Sequence, residues 1–137
     1  MQAKAAVFTA HVVPQSAGET GWADMRAAYD ALPSAMREGV AKWSAYHSLY
    51  HSQGKVGLMP KAGVGGYGYQ VKEAPLRPLV KVHPETGRLT LMIGRHAYGI
   101  PGLTDDASEK ILNELMEFAC QPPRVYHHHW SPGFYHK

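Results

Sequence analysis

One cysteine, Cys120, excludes an intrachain disulfide. It falls within a helical pattern, which points to a buried, unreactive thiol, and a lone cysteine fits a reducing cytoplasm. No apolar run approaches the roughly 20 residues that a membrane-spanning helix needs. Residues 1–13 carry one lysine and then alternate, unlike the unbroken apolar centre of a secretory leader. The net charge is only +3, and its lysines and arginines are scattered, so no basic stripe for nucleic acid is present. No local Ser-His-Asp or Cys-His arrangement suggests nucleophilic catalysis. Gly63, Gly65, Gly66 and Gly68 are not followed by a helical pattern, which argues against a phosphate loop.

What is present suits one ordinary folded domain. A chain of 137 residues that is 45% hydrophobic can build a modest core. Residues 5–13 alternate and stop at Pro14, as a strand would. Residues 19–23 suggest a second short strand. Asp24 can cap a helix over 25–32, with Met25, Ala28, Tyr29 and Leu32 on one face. Pro33 stops that helix and Ser34 can cap another to about residue 42. Residues 43–50 read as a strand. Residues 54–74 are glycine-rich without a period and read as a long mobile loop. Residues 79–83 and 89–93 flank Pro84-Glu85-Thr86-Gly87 and read as a hairpin. Thr104 or Asp105 caps a helix to about residue 120, with Ile111, Leu112, Leu115, Met116 and Ala119 inward. Residues 124–130 form the last expected strand. The class is therefore mixed α+β.

Three segments carry a resemblance. The first is Gly18-Glu19-Thr20-Gly21-Trp22-Ala23-Asp24-Met25-Arg26, continuing to Pro33. The second is His83-Pro84-Glu85-Thr86-Gly87-Arg88 with Ile93-Gly94-Arg95-His96-Ala97-Tyr98-Gly99-Ile100-Pro101-Gly102. The third is Tyr126-His127-His128-His129-Trp130-Ser131-Pro132-Gly133. In this order they resemble the taurine / 2,4-dichlorophenoxyacetate dioxygenase family (TauD/TfdA), over residues 7–133. The resemblance implies an oxidoreductase that uses Fe(II) and 2-oxoglutarate. It also implies a double-stranded β-helix, the cupin-like jelly roll, with helical insertions. The Arg95-to-Gly102 wording leans toward aryloxyalkanoate or aromatic acids as substrates.

The same resemblance exposes what is missing. Such enzymes hold Fe(II) with two histidines and one carboxylate on one face of the metal. In the family the first two ligands come from an H-x-D motif ahead of the Gly-Glu-Thr segment, but His11 here is followed by Val12 and Val13. The distal histidine and the arginine that clamps 2-oxoglutarate follow a Trp-Asp-Asn motif, whereas this chain reads Phe134-Tyr135-His136-Lys137 after Gly133. The expectation is a partial domain over 1–137, as from a truncation or frameshift. It should lack catalytic and metal-ligating residues of its own, bind neither cofactor firmly and be inactive alone.

His83-Pro84-Glu85 imitates H-x-E but sits where the family has a hairpin entry. On a strand, His127 and His129 share a face while His128 points away, so the triple histidine offers two convergent ligands. By resemblance Thr20 contacts the distal carboxylate of 2-oxoglutarate, and its residue-level alternative is a turn threonine satisfying backbone. Trp22 and His96 border the substrate side by resemblance, with a core tryptophan and a structural histidine as the alternatives. The implied partner of a complete enzyme is a small organic acid, with neither nucleic acid nor membrane. Unpaired strand edges imply a homo-oligomer or a marginal monomer. Two other classes stay open: a non-catalytic remnant serving as a binding or interaction module, and the functionless product of a broken gene.

Overall fold

The computed structural model describes residues 6–58 and 73–132. β1 (Thr20–Ala23) runs into α1 (Met25–Ala31), whose first turn is capped by Asp24. The Asp24 carboxylate accepts from the backbone N–H of Arg26 at 2.9 Å and of Ala27 at 3.2 Å. Partial burial raises its pKa, but the Arg26 side chain and these two amides outweigh that and hold it below 3.8. α2 (Ser34–Val40) follows Pro33, which stands at the cap position without a side-chain bond. Arg37 ties the two helices by donating to the carbonyls of Asp30 and Leu32 at 2.6 and 3.0 Å.

β2 (Ser44–His47) stops where Ser48 caps α3 (Leu49–Gly54), its hydroxyl accepting from His51 N–H at 3.3 Å. The remaining elements are β3 (Leu76–Pro78), β4 (Val80–Val82), β5 (Leu89–Leu91), β6 (Ala97–Tyr98), α4 (Asp105–Ala119) and β7 (Val125–His128). The described residues form three small antiparallel sheets: β1 with β7, β4 with β5, and β2 between β3 and β6. In the β4–β5 hairpin, Gly87 takes a φ of +67°, which favours glycine.

The core lies where the sheets meet α1 and α4. Leu79 and Leu115 are fully buried, with Val40, Ala45 and Ile100 beside them. Leu79 also joins two sheets, its N–H bonded to Trp43 O and its carbonyl to Met92 N. Ser108 is a buried polar residue of α4, and its hydroxyl accepts from Ile100 N–H at 3.0 Å. That bond seats the helix on the segment after β6 and satisfies a group that would be costly to bury alone.

Several expectations are corrected. Residues 6–13 form no strand; Val7 and Val12 stay exposed, because alternation without a ladder partner has no face to bury. The strand expected over 43–50 is cut short by the Ser48 cap. β3 and β6 are too brief to leave a periodic signal. Trp22 is 44% exposed and does not act as a core tryptophan. Cys120 is exposed because α4's buried stripe ends at Ala119. The loop expected over 54–74 falls mostly outside the described residues; its start, Gly54, closes α3. His136 also lies outside them.

Leu115→Ala should cost about 2–5 kcal/mol, the range for a large-to-small change in a closed core. Urea unfolding followed by far-UV circular dichroism measures it, and a loss under 1 kcal/mol would mean the core collapses around the gap.

Candidate functional site

The pairing of β1 with β7 sets Thr20 opposite His128 and Trp22 opposite Tyr126. Across an antiparallel pair, opposed residues share a face. The Trp130 indole N–H donates to the Thr20 hydroxyl oxygen at 2.9 Å, across 110 positions of sequence. Thr20 is thus engaged by a side chain, where the residue-level alternative was a backbone partner. Its hydroxyl can still donate, since the bond from Trp130 uses only an acceptor position. Thr20 and Trp130 line a cavity of about 240 Å³ with Phe8, Val13 and Pro14. Trp22 lies outside that lining, against the Phe8 ring with centroids 5.6 Å apart, and borders a shallow depression with Tyr126 and His83.

His96 occupies a second place. The turn Gly94-Arg95-His96-Ala97 is closed by Ala97 N–H to Gly94 O at 2.9 Å, and Ser48 N–H bonds His96 O at 2.8 Å. These bonds bring the His96 ring against His47, with centroids 4.9 Å apart at 54°. Both rings line a cavity of about 470 Å³ with Arg77, Arg95, Ser52 and Gln53. Among the described residues no acidic side chain lines it, so the cavity suits an anion.

Burial lowers the His47 pKa from 6.5 to about 4, helped by positive charge on His96, Arg77 and Lys81. The His96 pKa is also lowered, first by desolvation and then by Arg77. Among the described residues the buried His47 Nε2 has no hydrogen-bond partner. Sequence reasoning singled out His96 and missed His47 and Arg77. His47 lies in β2 and is brought to His96 by the β2–β6 ladder, so only the strand pairing could have revealed it.

Three other histidines, His83, His128 and His129, have local partners. His83 Nδ1 accepts from Thr86 N–H at 3.3 Å and its backbone N–H bonds Arg88 O at 2.7 Å, which makes it a hairpin residue. His128 meets Trp130 edge-on at 4.5 Å and the Tyr126 hydroxyl at 3.2 Å. His129 lies 3.4 Å from Glu19. Among the described residues no group of three or more His, Cys, Asp or Glu could hold a metal ion. The residues described therefore do not fit Fe(II).

The Taurine catabolism dioxygenase TauD, TfdA family matches residues 2–134. The chain belongs to that family. It is 57% identical over 136 residues to an (S)-phenoxypropionate/alpha-ketoglutarate-dioxygenase of Sphingobium herbicidovorans, covering 97% of this chain and 47% of the relative. An alpha-ketoglutarate-dependent 2,4-dichlorophenoxyacetate dioxygenase of Cupriavidus pinatubonensis is 37% identical over 134 residues, covering 96% and 45%. Among solved structures, AAD-2 in complex with Mn(II) and N-oxalylglycine superposes with a TM-score of 0.78 at 33% identity, covering 90% of this chain and 48% of that one. The chain spans just under half the length of the curated relatives it matches. The TauD/TfdA membership agrees with the three sequence segments and gives the mixed α and β architecture its structural relatives. No helix among the described residues is long and apolar enough to cross a membrane.

The His47 shift has a definite sign. Its folded value lies below 6.5, so the unfolded chain takes up this proton first as pH falls. The stability it contributes is complete above 6.5 and is lost as pH falls through about 4. In His47→Phe the urea midpoint should fall less steeply over that interval than in the wild type. An identical slope would place the His47 pKa near the ordinary value.

Proposed function

We propose that this chain is the 2-oxoglutarate- and organic-acid-contacting portion of a TauD/TfdA-type dioxygenase domain, specific for an aryloxyalkanoate acid and inactive alone. The supporting observation is the Trp130–Thr20 hydrogen bond. By accepting from the indole, the Thr20 oxygen leaves its own proton free to donate. A carboxylate is a strong acceptor for such a hydroxyl, and the adjoining cavity has room for one end of a small diacid. His96 then borders the organic acid, whose carboxylate finds positive charge on Arg77 and Arg95. Identity to the (S)-phenoxypropionate dioxygenase favours aryloxyalkanoates over sulfonates. In a complete domain, dioxygen would be the oxidant: one oxygen atom would enter succinate as 2-oxoglutarate loses carbon dioxide, and the other would enter the hydroxyl group placed on that acid. The partial β-helix would then be closed by strands that pair with β1 and β7.

Two observations support inactivity of the chain alone. No H-x-D motif occurs in the chain, and the described residues assemble no metal site. The purified chain, supplied with ferrous ion, 2-oxoglutarate and 2-phenoxypropionate, should form no succinate above the protein-free background. Iron-dependent succinate would overturn that part. Binding at Thr20 is read separately: millimolar 2-oxoglutarate without metal should shift the Trp130 indole N–H resonance, and Thr20→Val should abolish the response. A wild-type resonance that stays put would remove Thr20 from the cofactor site.

The β1–β7 ribbon carries a second expectation. Neither strand has a third neighbour among the described residues, and Tyr126 is 62% exposed on it. Open edges with exposed aromatics favour self-association. Light scattering in reducing buffer should show a mass that rises with concentration; a constant monomer mass with a sharp thermal transition would count against it.

A further inference from the structure

We propose that Gly94 and His47 are positioning residues for His96, together clamping its ring over the basic cavity. A Cβ built on Gly94 would come 2.6 Å from His96 Cε1 and 2.9 Å from Nδ1. No real methyl tolerates that approach, so any other residue at 94 would turn the ring away. The second contact of the clamp is the buried His47 ring, at a centroid separation of 4.9 Å and a tilt of 54°. The backbone fixes the geometry from below through Ala97 N–H to Gly94 O and Ser48 N–H to His96 O. Close approach to the Gly94 backbone and the tilted contact with His47 thus hold a side chain otherwise free to rotate to one orientation. Arg77 and Arg95 line the same cavity, and Arg77 acts on both imidazoles. Desolvation and this charge favour the neutral His96 ring, which can both donate and accept. The functional meaning of the clamp rests on His96 facing the organic acid; the clamp itself does not.

The test is an NMR pH titration of the imidazole carbons and protons of the intact chain. In the wild type, His47 and His96 ring protons should show a mutual nuclear Overhauser effect, and His96 should titrate below 6.5. Gly94→Ala should abolish the Overhauser effect and move the His96 midpoint up toward 6.5, with backbone amide shifts elsewhere unchanged. His47→Ala should raise the midpoint too, whereas His47→Phe, which keeps an uncharged ring, should restore it. A wild-type spectrum without the ring-to-ring effect would overturn the proposal, whatever becomes of the variants. So would a folded Gly94→Ala with an unchanged His96, or a His47→Phe that behaves like His47→Ala. Added 2-phenoxypropionate separates the two readings: a His96 signal that ignores it refutes the substrate-facing role, while the Gly94→Ala result still decides the clamp.

Discussion

The ladder between β1 and β7 is the constraint on which the rest depends, because it joins residues more than a hundred positions apart. A two-stranded ribbon is marginal by itself, and closing so long a loop carries an entropy cost. Helices offset that cost at one end of the ribbon. The last residue of β1 is followed by Asp24, whose N–H bonds Arg124 O at 2.8 Å while its carboxylate caps α1. Arg124 lies over the Phe118 ring at 4.3 Å and also donates to the Phe118 carbonyl. The ribbon is thus anchored jointly to the start of α1 and the end of α4, and α1 and α4 themselves contribute to the core. At the free end sit Thr20 and Trp130. The candidate cofactor contact therefore lies at the far end of the ribbon from its helical anchor.

What was legible in the sequence is what depends on neighbours. Asp24 and Thr104 cap their helices as their positions suggest, because a cap bonds to amides two or three residues on. The hairpin around Thr86 and Gly87 was legible for the same reason. What escaped depends on partners far along the chain. Residues 6–13 alternate but pair with no strand among the described residues, so their pattern misleads. Trp22 looks like core until the ribbon proves to have an open face. Cys120 shares the helical period yet lies one residue past the last buried position.

The site divides along the same line. Thr20 and His96 are legible as candidates because they sit in motifs of the TauD/TfdA family. Their partners are not, since Trp130 reaches Thr20 and His47 reaches His96 only through strand register. The two places also differ in electrostatics. Among the described residues the Thr20 cavity is lined by no ionisable side chain and offers a hydroxyl, whereas the His96 cavity gathers two arginines and two histidines. A ligand with one carboxylate is drawn to the second by charge; the first needs charge from elsewhere to hold a dianion.

The exposure of Cys120 has a practical consequence. A single accessible thiol at the end of α4 gives the chain one chemically unique attachment point for a maleimide dye or a spin label. The same thiol can join two copies covalently under air. Gel mobility with and without a reductant then tells a disulfide-linked pair from one held by strand edges, since only the former separates when the thiol is regenerated.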